Sequence, residues 1–138
     1  MAKDLYHDAV KIALEKEGWT ITEDPFTMNI SVSLSYHIDL AAEKFIIAKR
    51  ETRVIVVEVK SFLNASTAYD FHSALGQYCV YKSALKYLNK NEKLLMAVPN
   101  EVYTTFFQQP FIQQVLKDYQ CEVISYDPFK KQIIYANF

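Results

Sequence analysis

The chain has 138 residues, 51% of them hydrophobic and 22% charged, with two glycines and four prolines. That is enough for one globular domain with few flexible joints and too little for two, so residues 1–138 are read as a single domain. Fifteen basic against sixteen acidic residues leave a net charge of −1, which excludes an overall positive field drawing the protein onto phosphate backbones.

The opening MAKDLYHDAV lacks the apolar run of an export leader. Asp4 is placed to cap a helix whose apolar positions Leu5, Ala9, Val10, Ile12 and Ala13 keep helical spacing until Gly18 stops it. After a turn at Asp24-Pro25, the stretch Ile30 to Leu40 alternates apolar residues with Ser31, Ser33, Ser35, His37 and Asp39, predicting one strand with one polar face. Phe45 to Ile47 continues as strand, Lys49-Arg50-Glu51-Thr52 turns the chain, and Val54 to Val59 returns as a β-branched run suited to the middle of a sheet.

From Ala68 to Leu88 the period becomes helical, with Phe71, Ala74, Leu75, Tyr78, Leu85 and Leu88 on the apolar side, as in a crossover helix. Leu94 to Val98 is a short buried strand ended by Pro99, and residues 100–119 form two short helices broken at Pro110. Cys121 to Tyr126 and Gln132 to Tyr135 are strands around a turn at Asp127-Pro128. The order α-β-β-β-α-β-α-β-β predicts an α/β domain, a mixed central sheet flanked by helices. No run approaches the roughly 20 apolar residues of a membrane helix, and Cys79 and Cys121 form no CxxC pair, disulfide framework or zinc motif. The expectation is a soluble protein in a reducing, cytoplasmic setting.

Two surface features each admit two readings. Lys82, Lys86, Lys90 and Lys93 form either a basic strip or an ordinary solvated helix face. Ten tyrosines, nine phenylalanines and one tryptophan fill a tyrosine-rich core or leave some aromatics for a partner.

The chemistry concentrates in Val54-Ile55-Val56-Val57-Glu58-Val59-Lys60. Glu58 and Lys60, two residues apart on a strand, share one face, and charges are rare on central strands. On this segment alone, a strand end emerging into solvent with a weak ion pair is as good a reading as a functional site. A hairpin turning at Arg50-Glu51 sets Asp39 opposite the residues just past Lys60, on the face of Glu58 and Lys60. Two carboxylates together repel unless a proton or cation lies between them, so the cluster asks for Mg²⁺ or Mn²⁺, hard ions that prefer oxygen. Such an ion lowers the pKa of a bound water, while Lys60 orients the nucleophile or offsets charge building on phosphorus. On the next helix Gln77 and Tyr81, four apart, share a face; a buried, mutually satisfied pair is the alternative there.

Asp39, then Glu58-Val59-Lys60 after a hairpin, then Gln77 and Tyr81 on the following helix, resembles the PD-(D/E)xK superfamily and in particular the QxxxY arrangement of its RecB-type members. The strings AKDLYHDAVKIAL, GWTITEDP, IDLAAEK, VEVKSF, ALGQYCVY and AVPNEVY, spread from residue 2 to residue 103, resemble the XisH family, the fdxN-element excision controlling factors of cyanobacteria. The resemblance implies a restriction-endonuclease-like core and a role accompanying site-specific DNA rearrangement, commonly with a small partner protein, XisI. It implies Asp39 and Glu58 as metal ligands, Lys60 as the catalytic lysine, and Gln77 and Tyr81 as the supporting pair. Some RecB-like nucleases take a further ligand from the first helix, so His7 is open between that role and a solvent-facing one. Ile38 stands where the signature's name has proline, a position without a functional group, and Ala41 in place of a family glycine is a modest change beside the site.

The expected function is thus a Mg-dependent, endonuclease-like protein acting on DNA. One rival is a catalytically silent nuclease-fold subunit working through a XisI-type partner, with Tyr103, Phe106, Phe107 and Phe111 around Pro110 as contacts or, alternatively, as a core edge. Another is a toxin-like nuclease neutralised by that partner. A homodimer would suit cutting both strands of DNA.

Overall fold

The computed structural model describes residues 2–137, with side chains from residue 5. Helix α1 spans Ala2–Lys16, starting ahead of Asp4, whose side chain lies outside the described residues. It ends as expected at Gly18, which takes φ +93° while Gly18 N–H bonds Glu15 O at 3.0 Å and Trp19 N–H reaches back to Leu14 O at 3.1 Å. Positive φ is cheap for glycine, and this paired closure satisfies the last carbonyls of the helix.

Six strands form the main sheet: β1 (Thr20–Glu23), β4 (Leu40–Ile46), β5 (Glu51–Val59), β6 (Lys93–Pro99), β7 (Val123–Asp127) and β8 (Gln132–Tyr135), in the order β1-β4-β5-β6-β7-β8. β5, β6 and β7 run parallel, and the remaining neighbours pair antiparallel, so the sheet is mixed as predicted. Strands β2 (Phe26–Ser31) and β3 (Leu34–Ile38) make a separate hairpin.

Pleat alternation divides β5 and β6 between two layers. Ile55, Val57, Leu95 and Ala97 turn towards α1, where Val10 and Leu14 cover them. Val56, Met96 and Val98 turn towards α2 (Thr67–Tyr87), joining Phe71, Ala74, Tyr78, Tyr81 and Leu85 and the hairpin residues Phe26, Met28 and Ile38. α2 is capped by Ser66, whose Oγ accepts the Tyr69 N–H at 3.1 Å. Beyond β6 come α3 (Asn100–Thr104), a short 3₁₀ turn and α4 (Pro110–Asp118). Pro110 opens α4, where its missing N–H costs nothing.

Three sequence expectations need correction, and one strand was not expected. The predicted single strand from Ile30 to Leu40 is a hairpin plus the start of β4, because the apolar–serine alternation runs straight through the turn; Val32, at its tip, is fully exposed. Strand β1 is unforeseen, since its four residues are mostly solvent-facing and held by pairing with Glu43, Ala42 and Ala41 on β4. The β4–β5 connection is a 3₁₀ turn over Ile47–Lys49 closed by Arg50 at φ +50°, earlier than the expected turn at Arg50-Glu51. Leu40 therefore faces Val57, where the expected turn would have set it opposite Ser61. Finally, β7 begins at Val123, not Cys121, although Cys121 is buried. Among the described residues no helix is long and apolar enough to cross a membrane.

Candidate metal and active site

The register shift is four residues, an even number, so it moves Asp39 along β5 without moving it to the other face. One step beyond the Leu40–Val57 pair sets Asp39 across from Glu58, closer to it than the expected register allowed. Asp39 occupies the bend between β3 and β4. Its Oδ2 accepts the Val59 N–H at 2.7 Å, a backbone anchor that holds the carboxylate against the end of β5.

Glu58 is 9% exposed, and its Oε2 lies 3.2 Å from Lys60 Nζ. The same ammonium donates to Gln77 Oε1 on α2, and Gln77 is in turn hydrogen-bonded to Tyr81. The carbonyl of Lys60 accepts the Tyr126 hydroxyl at 2.8 Å, which pins the strand end from the opposite layer. All five residues singled out in the sequence, Asp39, Glu58, Lys60, Gln77 and Tyr81, are thus brought together. Tyr81 is buried with its ring 5.6 Å from that of Tyr36. Burial, then the charges of Glu58 and Asp39, pushes its phenol up to about 12, so it serves as a neutral brace.

Glu58 carries the electrostatic tension of the site. Burial first and the Asp39 charge second push its carboxyl up to about 7, against the opposing pull of Lys60. Its Oε1 is buried without a hydrogen-bond partner among the described residues, an expensive state for an ionised oxygen. A cation beside that oxygen would relieve both problems, so the donor set fits a hard divalent ion. Among the described residues no three His, Cys, Asp or Glu side chains already form a metal-binding group. Mg²⁺ needs fewer, because one or two carboxylates commonly hold it while water and substrate oxygens complete the shell.

His7 is not simply solvent-facing: its side chain is 22% exposed, with Nε2 2.8 Å from Asp24 Oδ1 and Nδ1 3.7 Å from Asp39 Oδ1. Lys11, one turn further along α1, places Nζ 3.0 Å from Asp24 Oδ2. Asp24 is the residue sequence reasoning missed. Its only signal was a position before Pro25, which reads equally as a plain turn. A polar cleft of about 310 Å³ flanks Lys60, lined by Ser61, Asn64, Asp70 and Ser73. A cavity of about 730 Å³ between α4 and the end of β8 shares no residue with the site.

Two other sequence features resolve differently. Phe107 is fully buried, which removes it from any partner surface; Tyr103 is half-buried and stacked on Tyr135 at 4.8 Å, and Phe111 is exposed. In the basic strip, Lys82 bonds the Gln120 carbonyl at 3.2 Å, Lys93 pairs with Glu122 at 3.2 Å and Lys90 lies over the Phe26 ring at 5.5 Å, so three of its four charges are already engaged within the domain.

The family model described as XisH protein matches residues 1–134. Among solved structures, an XisH family protein from Nostoc punctiforme PCC 73102 is 39% identical with a TM-score of 0.84, the match covering 96% of this chain and 98% of that one. An fdxN element excision controlling factor protein from Anabaena variabilis is 38% identical with a TM-score of 0.83, covering 96% of this chain and 97% of that one. No curated protein matches.

Proposed function

The chain belongs to the XisH family, and from that membership and the charged cluster at the end of β5 we propose that it is a divalent-metal-dependent nuclease acting on DNA during excision of a genetic element. The observation that carries this reading is the Glu58 carboxylate, buried beside Asp39 with Oε1 unpartnered. Buried, perturbed carboxylates of this kind cluster at functional sites.

Asp39 and Glu58 would hold Mg²⁺ or Mn²⁺, which supplies a bound water of lowered pKa and positive charge opposite a phosphoryl oxygen. The remaining parts belong to the chain. The Val59 amide fixes Asp39 so that its other oxygen is free to turn towards the ion. Lys60, held between Glu58 and Gln77, stands ready to orient the attacking water or to offset negative charge on the phosphate. Tyr81 steadies Gln77, and through it the ammonium. The arrangement resembles the PD-(D/E)xK pattern in residue types and order, and it supports phosphodiester hydrolysis as the reaction class. The net charge of −1 supplies little affinity for DNA, which supports a XisI-type partner in bringing the substrate to the site.

The test is cleavage of duplex and single-stranded DNA with Mg²⁺ or Mn²⁺, comparing the wild-type protein with Asp39→Ala and Glu58→Gln. Loss of at least about 100-fold in both variants is expected for groups that hold the ion. Cleavage that survives unchanged in both would overturn the reading. A catalytically silent, partner-binding subunit is the second reading. It is favoured by the lack, among the described residues, of a ready three-side-chain metal group, and it predicts partner binding without cleavage or Mn²⁺ uptake.

A further inference from the structure

We propose that Asp24 is the positioning residue of this site: it accepts a hydrogen bond from the Nε2–H of His7, so that the Nδ1 lone pair would be presented towards an ion held by Asp39. The inference rests on the metal-dependent reading above and adds to it a residue on the β1–β2 turn. Asp24 belongs to none of the strands or helices that carry the charged cluster.

The geometry is specific at each atom. His7 Nε2 lies 2.8 Å from Asp24 Oδ1, a distance at which an N–H donates to a carboxylate. The other oxygen of Asp24 is engaged by Lys11 Nζ at 3.0 Å. His7 and Lys11 are four residues apart on α1 and so reach the same carboxylate from one helix face. In the uncharged ring the second nitrogen then bears a lone pair, and Nδ1 faces Asp39 Oδ1 at 3.7 Å. That is too long for a hydrogen bond, and it sets two acceptors against each other. Neighbouring ligands of an octahedral ion with bonds of about 2.1 Å stand about 3.0 Å apart, and opposite ones about 4.2 Å. The observed separation exceeds the neighbouring-ligand distance by about 0.7 Å, so both atoms would reach one ion after a shift of that size. A carboxylate that accepts the far N–H of a metal-facing histidine fixes its tautomer and raises its basicity.

The experiment uses the full chain and Mn²⁺ alone. Long-range nitrogen–carbon NMR correlations on the uncharged ring report which nitrogen of His7 carries hydrogen, and Mn²⁺ titration followed by line broadening gives the affinity. His37 and His72, both exposed, act as internal controls. In the wild type we expect hydrogen on Nε2 and selective broadening of His7. Asp24→Ala should scramble the tautomer and weaken Mn²⁺ binding about 10-fold or more. Asp24→Asn, whose amide oxygen still accepts from Nε2, should restore the tautomer and most of the affinity, and the tautomer is the readout that a merely structural turn residue would not move. Hydrogen on Nδ1 in the wild type, or an unchanged tautomer and affinity in Asp24→Ala, would overturn the role of Asp24 while leaving Asp39 and Glu58 as ligands. A wild-type chain that takes up no Mn²⁺ would overturn the metal reading and this inference with it.

Discussion

Two consecutive stretches of β5 obey opposite physical rules. From Ile55 to Val57 every side chain is buried, and neighbours in α1, α2, β4 and β6 fill the space around it. At Glu58 and Val59 the same strand, in the same register with β6 and followed directly by Lys60, buries a carboxylate beside a second one and leaves an oxygen unpartnered. The first stretch stabilises the fold; the second is tolerated by it. Stability and chemistry therefore separate within one strand, and substitutions on the two sides of that boundary should act in different directions.

The largest effect is expected from the packed side. Phe107 sits against Phe71, Phe62 and Phe106 with ring centroids 5.5 to 5.8 Å away, and Phe107→Ala should lower the unfolding free energy by about 3–5 kcal/mol, measured by chemical denaturation. A loss below about 1 kcal/mol would mean that this cluster is not core. On the charged side, Glu58→Gln should weaken Mn²⁺ binding by about 100-fold, or about 2.7 kcal/mol, with the fold intact by circular dichroism.

The same substitution should stabilise the metal-free protein. An acid that holds its proton more tightly folded than unfolded favours the folded state while the proton is on. The contribution of Glu58 is therefore complete below its ordinary value of 4.5 and is lost as pH rises through about 7. Metal-free wild type should accordingly lose stability across that window. Glu58→Gln should flatten the loss and gain about 1–2 kcal/mol at pH 8 by removing a buried charge that repels Asp39, as thermal melts at several pH values would reveal. Equal pH slopes in the two proteins would contradict the tension assigned to Glu58. The smallest effect is expected at Tyr81→Phe, which keeps the ring and deletes the hydroxyl bonded to Gln77. It should cost about 1 kcal/mol of stability and a few-fold in cleavage, read from parallel melts and rate measurements.

The same boundary governs how much could be read from the sequence. Central elements were legible because burial on both faces writes itself into composition: the β-branched run of β5, Leu94 to Val98 of β6 and the long apolar face of α2 all fall where expected. Edges were not, since β1 and the β2–β3 turn depend on pairing more than on any residue type. The charged cluster emerged despite a register error because faces depend only on parity, and the true turn differs from the expected one by an even number of residues. Asp24 stayed hidden: its neighbours His7 and Lys11 are at least thirteen positions away in the chain, and nothing local marks a carboxylate that works through a distant helix.

Whether Asp39 and Glu58 together hold a divalent ion is decided by anomalous diffraction from a crystal soaked in Mn²⁺. The expected result is a peak within bonding distance of both carboxylates, with Glu58 Oε1 among its ligands. Density that shows Mn²⁺ bound elsewhere, with Oε1 still facing protein atoms alone, would contradict it.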